Sequence, residues 1–195
     1  MRILETERFR LVPLTAADSI RMYVPFCDPA LYFFVPQDPP ATLGALTERY
    51  AQLEKRQSPD GKEHWLNWVI ERNSPSTEGG GSTPKEGGGQ DDGRWPQPLG
   101  LIEATILDNG HALIGYFTFR EFWNQGIASE CIPAALAHLQ ADYGVRLFRA
   151  EADSRNFASV RVLEKCGFHI AETVPQADFF KGQRSDEHRM VKLAG

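Results

Sequence analysis

The chain has 195 residues, 42% of them hydrophobic with twelve Phe, and a formal net charge of -5. That length suits one domain able to bury a mixed sheet with flanking helices, and the apolar fraction excludes a disordered chain. The acidic balance argues against a nucleic-acid backbone binder, no window is long and apolar enough for a membrane span, and the start lacks a basic region followed by an apolar run, so a cytoplasmic protein is expected.

Taken in order, Phe9–Leu14 alternates as a strand, and Thr15 is placed to cap a helix carrying Ile20, Met22 and Tyr23 that Pro25 should end. Residues 28–40 are rich in Pro and aromatics and read as a loop. Leu43, Leu46, Tyr50 and Leu53 form a helical stripe within Thr42–Gln57, and Trp65–Glu71 is a strand. Residues 72–98 carry two triple-Gly runs with Ser, Thr, Pro and Asp, a composition expected of a flexible excursion from a single domain spanning 1–195. Those Gly runs lack the Lys-Ser/Thr and helix of a phosphate loop.

Leu99–Leu107 and His111–Phe119 are strands joined by a turn at Asp108-Asn109-Gly110. A helix is expected over Glu130–Tyr143, distorted by Pro133 and stopped by Gly144. Leu147–Ala152 returns as a strand with a parallel neighbour, and Asn156 caps a further helix ending at Gly167. Phe168–Val174 and His188–Leu193 close the chain as strands, connected through 175–187. The fold class is α/β with a mixed, mostly antiparallel sheet.

The turn Trp123-Asn124-Gln125-Gly126-Ile127-Ala128 offers backbone N–H groups at the mouth of a helix. Such a place suits a diphosphate, and the small Gly126 and Ala128 let it approach the backbone. No GxGxxG, Walker A, HExxH, CxxC or GxSxG signature accompanies it. Cys27, Cys131 and Cys166 are scattered and expected to be reduced, and the five His have no ligand spacing, so no metal site is expected.

Residues 112–130, ALIGYFTFREFWNQGIASE, resemble the cofactor-binding core of the GNAT N-acetyltransferase superfamily, whose loop is Gln/Arg-x-x-Gly-x-Gly/Ala. Trp123 holds its first position, Gly126 the fourth and Ala128 the sixth. The segments LETERFRLVPLTAAD (4–18) and NFASVRVLEKCGF (156–168) are similar to those of the branch containing ribosomal-protein N-terminal alanine and serine acetyltransferases. The resemblance implies acetyl-CoA as co-substrate, bound in a V-shaped opening between the fourth and fifth strands. Main-chain groups of Phe117, Thr118 and Phe119 would hold the pantetheine, Asn124, Gln125, Gly126, Ile127 and Ala128 the diphosphate, and an N–H near Phe119 the oxyanion. It also implies Ser159 near the thioester sulfur and adds to the helix cap Asn156 a role as pocket hydrogen-bonder; for the base, Glu103 and Glu121 are the nearest acidic residues on or just beyond the central strands. Glu172 is a further acidic candidate, displaced by one residue from the branch's position. Many superfamily members carry Tyr where this chain has Leu163.

The implied acceptor is a small-molecule or peptide amine, with no nucleic acid or membrane partner, and with a monomer or a homodimer equally compatible. Residues 25–40 and 175–187 would wall its pocket with Phe26, Tyr32, Phe33, Phe34, Phe179 and Phe180. Asp28, Asp38, Asp178 and Asp186 are the acidic anchors for a cationic group. The alternative function is a non-catalytic CoA-binding sensor or structural module on the same fold.

Overall fold

A computed structural model describes residues 1–73 and 96–195. Its elements are β1 (Leu4–Glu5), β2 (Phe9–Pro13), α1 (Ser19–Phe26), α2 (Leu43–Leu53), β3 (His64–Arg72), β4 (Gly100–Ile106), β5 (His111–Thr118), α3 (Ile127–Tyr143), β6 (Leu147–Asp153), α4 (Phe157–Lys165), β7 (His169–Phe180) and β8 (Gln183–Leu193). The strands form one sheet in the order β1-β2-β3-β4-β5-β6-β8-β7. Every neighbouring pair is antiparallel except β5 and β6. Among the described residues no helix is long and apolar enough to cross a membrane.

Period-two alternation decides which side chains meet which helices. Leu66, Trp68 and Ile70 of β3, Ile102, Ala104 and Ile106 of β4, and Ala112 and Ile114 of β5 share a core with Ile127, Cys131, Ile132, Ala135, Leu136 and Leu139 of α3. The opposite face sets Val69, Leu101 and Phe119 against Met22 and Phe26 of α1 and Leu46 and Tyr50 of α2. Charge also ties α1 to the sheet. Glu71, 2% exposed, pairs with Arg10 at 2.7 Å and Arg21 at 2.5 Å, and Arg21 also holds Asp18 at 2.6 Å. Removing one partner of so buried a group leaves an uncompensated charge and costs roughly 3–5 kcal/mol.

Several boundaries differ from the sequence reading. Helix α1 runs one residue past Pro25, to Phe26, so the proline falls in the last turn and the helix goes no further. Helix α3 begins at Ile127 rather than Glu130, which puts Pro133 in its interior. The Ser129 carbonyl thereby loses the N–H of Pro133, and the Cys166 thiol donates to it at 3.9 Å instead. Strands β7 and β8 extend through most of the segment read as a connection, turning at Lys181–Gly182 where both residues have positive φ.

The flexible excursion expected over 72–98 falls mainly on 74–95, which lie outside the described residues. Its flanks belong to the fold: Arg72 pairs with Phe9, Asn73 Nδ2 donates to the Thr6 carbonyl at 2.9 Å, and the Pro96 carbonyl accepts from Arg21 at 2.7 Å. The strands it links are antiparallel neighbours, with Ile70 opposite Gly100. A short turn can join them, and loop closure depends only weakly on length. Replacing residues 75–94 by a short Gly/Ser turn is therefore expected to leave a single cooperative melt. A broad transition, or a melting temperature lowered by many degrees, would show that the segment packs.

Candidate active site

Strands β5 and β6 pair only at His111–Leu113 with Leu147–Arg149 and then diverge. This is the opening expected between the fourth and fifth strands, renumbered because the two-residue β1 precedes them. A cavity of about 1010 Å³ fills it, lined by Glu103, Tyr116, Phe117, Thr118, residues 122–129, Asn156 and Ser159 among others.

The register of β5 decides which main-chain groups face that opening. The Phe119 N–H donates to the Leu99 carbonyl at 2.9 Å, and the Leu107 N–H to the His111 carbonyl at 2.9 Å. Odd residues of β5 therefore spend their N–H and C=O on β4, and even residues turn theirs towards β6. The Phe117 carbonyl lies so close to Gly100 that a Cβ there would meet it, which is why only glycine fits at 100. So the main-chain groups of Phe117 and the N–H of Phe119 are taken by the β4 side, the Phe119 carbonyl accepts from the Phe122 N–H, and the groups of Tyr116 and Thr118 face the opening. Phe119 itself is 2% exposed in the core and its N–H cannot serve an oxyanion.

At the far end of β5 the chain turns sharply into α3. Asn124 has φ 61° and Gly126 φ 76°, both left-handed. Trp123 fixes the entry by donating its indole N–H to the Thr118 carbonyl at 2.7 Å. Gly126 brings no side chain to cap the helix. Among the described residues, the backbone N–H groups of Gly126, Ile127, Ala128 and Ser129 have no protein acceptor; the first helical bond is Glu130 N–H to the Gly126 carbonyl at 3.1 Å. These unpaired donors and the helix dipole meet at the cavity wall, an arrangement that fits a diphosphate.

Arg8 stands behind this turn, and sequence reasoning missed it. Its guanidinium donates to the Gln125 carbonyl at 3.2 Å, and one nitrogen lies 3.3 Å from where a Gly126 Cβ would be. Glu130 pins it at 2.7 Å while also accepting from Thr6. Burial pushes the Glu130 carboxyl up, but the hydrogen bonds from Thr6 and Arg8 outweigh it and hold the group below the usual carboxylate range. The acid at the mouth of α3 is thus neutralised by a cation rather than facing the cavity alone.

Glu103 projects from β4 to the α2 side, opposite Gly115. A methyl at 115 would lie 3.6 Å from its Oε2, so glycine leaves the carboxylate uncovered towards the cleft. Burial raises the Glu103 pKa, opposed by Arg49, which donates to Oε1 at 3.3 Å from a mostly exposed position. Glu103 and Phe117 also line a second cavity of about 210 Å³, walled by Phe26, Tyr32, Leu46 and Tyr50. The two cavities meet at that carboxylate.

Ser159 sits in the first turn of α4, its N–H held by Asn156 Oδ1 at 3.1 Å. Its Oγ accepts from the Tyr116 hydroxyl at 3.0 Å. Burial, with Cys166 adding, raises the Tyr116 phenol to about 12 despite the Ser159 bond. Tyr116 was read only as a strand residue; its signal was a polar end on the otherwise apolar Ala112-Ile114-Tyr116 face. Leu163, where many members of the resembled superfamily carry Tyr, is 1% exposed in the core.

Other candidates separate. Glu121 does not line either cavity; it is exposed and accepts from Gln97 Nε2 at 3.2 Å. Glu172 is exposed on β7 and pairs with Arg189 at 3.3 Å. Of the aromatics, Phe34 and Phe180 line the larger cavity and Phe26 and Tyr32 the smaller, whereas Phe33 and Phe179 are exposed and line neither. Asp178 faces the larger cavity and Asp38 the smaller. Asp28 caps the turn at Ala30, and Asp186 accepts from the Gln176 N–H. The segments around 25–40 and 175–187 do meet, through Lys181 Nζ donating to the Val35 carbonyl at 2.8 Å. Glu151 and Glu187, unremarked in the sequence, also line the larger cavity.

The family model described as "Acetyltransferase (GNAT) domain" matches residues 8–169. An uncharacterized protein of Bacillus subtilis (strain 168), YkkB, is 31% identical over 124 residues, covering 62% of this chain and 66%, just under two thirds, of that relative. Among solved structures, the RimL ribosomal L7/L12 alpha-N-protein acetyltransferase in complex with coenzyme A superposes with a TM-score of 0.76, covering 98% of both chains at 17% identity. The spermidine N-acetyltransferase from Vibrio cholerae in complex with CoA and spermine gives 0.72, covering 95% of both at 17% identity. At these identities the structural likeness concerns the fold.

Proposed function

The chain belongs to the GNAT acetyltransferase domain family, and from that premise we propose that it transfers an acetyl group from acetyl-CoA to a primary amine by direct attack. The observation that carries this reading is the meeting, around one cavity, of an uncapped α3 N-terminus, a half-buried carboxylate and a hydroxyl. The diphosphate takes the N–H groups of Gly126–Ser129, with Asn124 and Gln125 beside it and Arg8 behind. The pantetheine lies along the free edge of β5 at Tyr116 and Thr118. Acetyl-CoA supplies an electrophilic thioester carbonyl and a thiolate leaving group.

The residues then divide the work by side of the sheet. Glu103, on the α2 side, removes a proton from the incoming amine so that the nitrogen lone pair can form the N–C bond. Its raised pKa suits that task, since a base is most effective near the working pH. Main-chain N–H groups of Tyr116 and Thr118 face the place where charge grows on the carbonyl oxygen. On the α4 side Ser159 donates a hydrogen bond to sulfur as the C–S electron pair leaves with it; the new amide nitrogen gives its second proton to solvent, and a solvent proton completes the thiol. The acceptor enters through the smaller cavity, whose aromatic walls suit an apolar arm ending in the amine. Glu103, Glu151, Asp178 and Glu187 favour a cationic approach. The fold likeness to enzymes that acetylate spermidine and a ribosomal protein is compatible with either a small amine or a peptide terminus.

Ser159→Ala should lower turnover roughly a hundredfold, the usual loss when one positioned donor to a developing anion is removed. Acetyl-CoA affinity should be nearly unchanged, because the diphosphate contacts lie on α3. Thiol release followed by a colorimetric trap, with calorimetry for affinity, separates the two. Wild-type turnover in the variant would assign Ser159 to helix structure alone.

A further inference from the structure

We infer that Tyr116 is a positioning residue for Ser159: its phenol occupies one lone pair of Oγ and thereby directs the serine's own proton into the cleft. This rests on the acetyl-transfer reading, in which Ser159 stabilises the departing sulfur. A serine hydroxyl has one donor and two acceptor sites, and its hydrogen turns freely about the C–O bond unless a partner fixes it. Here Asn156 already holds the Ser159 backbone N–H, so the hydroxyl rotor is the remaining freedom. The Tyr116 bond takes it up from the acceptor side, and among the described residues Ser159 Oγ donates to no protein acceptor. The only direction left with a use is the cavity that both residues line.

The phenol arrives from β5, on the face of the sheet that α4 covers, while the helix position that other members fill with Tyr holds the core residue Leu163. With its pKa raised to about 12 by burial, Tyr116 stays protonated wherever the protein would be assayed. It therefore keeps the proton that it donates to Ser159 Oγ. No proton of Tyr116 is consumed in the reaction; it orders a donor in advance, which costs nothing at the moment charge develops.

The test is a double-mutant cycle on the full chain with Tyr116→Phe, Ser159→Ala and both. Tyr116→Phe should lower kcat about tenfold with KM for acetyl-CoA unchanged, and the double variant should be no worse than Ser159→Ala. Losses that multiply, or a Tyr116→Phe variant with normal kcat, overturn the inference while leaving acetyl transfer intact. A second readout needs no acceptor. Ultraviolet absorbance of bound coenzyme A against pH reports its thiol pKa, which a directed Ser159 donor lowers. Tyr116→Phe should raise that pKa by most of the amount that Ser159→Ala does; a titration unchanged in Tyr116→Phe but shifted in Ser159→Ala rejects the positioning role. Failure of coenzyme A to bind the wild-type protein would reject the acetyl-transfer reading and, with it, this inference.

Discussion

Glu103→Gln is expected to lose acetyl transfer by about 10²–10⁴-fold near neutral pH, the usual worth of a positioned general base. The reason is location as much as chemistry. Glu103 is the carboxylate at which the two cavities join, opened to the cleft by Gly115 and lifted in pKa by burial against the weaker pull of Arg49. For the wild type, kcat/KM should rise with pH through a pKa above the ordinary glutamate value of ~4.3. The variant should lack that limb. Its deficit should be largest between the Glu103 pKa and that of the amine, then narrow at high pH, where the acceptor arrives unprotonated.

The same shift makes a stability statement. A raised folded pKa means the native state binds a proton more readily than the unfolded chain in the window between the two values. Stability is therefore lost as pH rises through that window. Glu103→Gln removes this cost, so at neutral pH it should melt no lower than wild type while being far less active. An exposed Glu151→Gln variant is the comparison. A large loss there with a normal Glu103→Gln would move the base to β6.

Gly126→Glu is expected to weaken acetyl-CoA binding about a hundredfold or more. Its side chain would start on the Arg8 side of the turn, 3.3 Å from that guanidinium, adding a negative charge close to the diphosphate and taking up the cation behind it. Two like charges ~5 Å apart at an effective dielectric of ~20 repel by on the order of 3 kcal/mol, and 1.4 kcal/mol is a factor of ten. Glycine is also needed for its φ of 76°, a strain of about 1–2 kcal/mol for any other residue. Gly126→Ala carries the strain without the charge and separates the two causes. Calorimetry with acetyl-CoA should show a modest loss for Ala and near-abolition for Glu. Equal loss in both would mean that the turn's shape, not its field, sets affinity.

What the sequence made legible was local. The hydrophobic stripes of α2 and α3, the Asn-Gly turn after β4 and the Asn156 cap are signals written within a few residues, and the elements appear where those signals lie. The turn at Gly126 was legible for the same reason. What was not legible depends on register and on distant partners. Phe117–Phe119 could be read as the end of the strand, yet only the pairing of Leu99 with Phe119 tells which N–H groups are free. Arg8 reaches Gln125 and Glu130 across more than a hundred residues of chain, and Tyr116 of β5 reaches Ser159 of α4, 43 residues on. Glu103 and Glu121 looked alike as acids near the central strands, and the face of β4 against the short turn after β5 separates them. The outer half of the β7–β8 hairpin escaped because it is largely exposed, so no buried alternation marks it, and Pro175 and Gln176 imitate a turn.

The measurement closest to the central claim is acetyl transfer itself. Purified protein would be incubated with acetyl-CoA and a panel of primary amines: peptides with N-terminal Ala or Ser, polyamines, amino acids and aminoglycosides. Thiol release and the mass of each amine would be followed together. Acetyl transfer predicts at least one amine gaining one acetyl group in step with the thiol released, with both signals lost in Glu103→Gln. Tight binding of acetyl-CoA with no amine acetylated across the panel would contradict it and leave a CoA-binding sensor on the same fold.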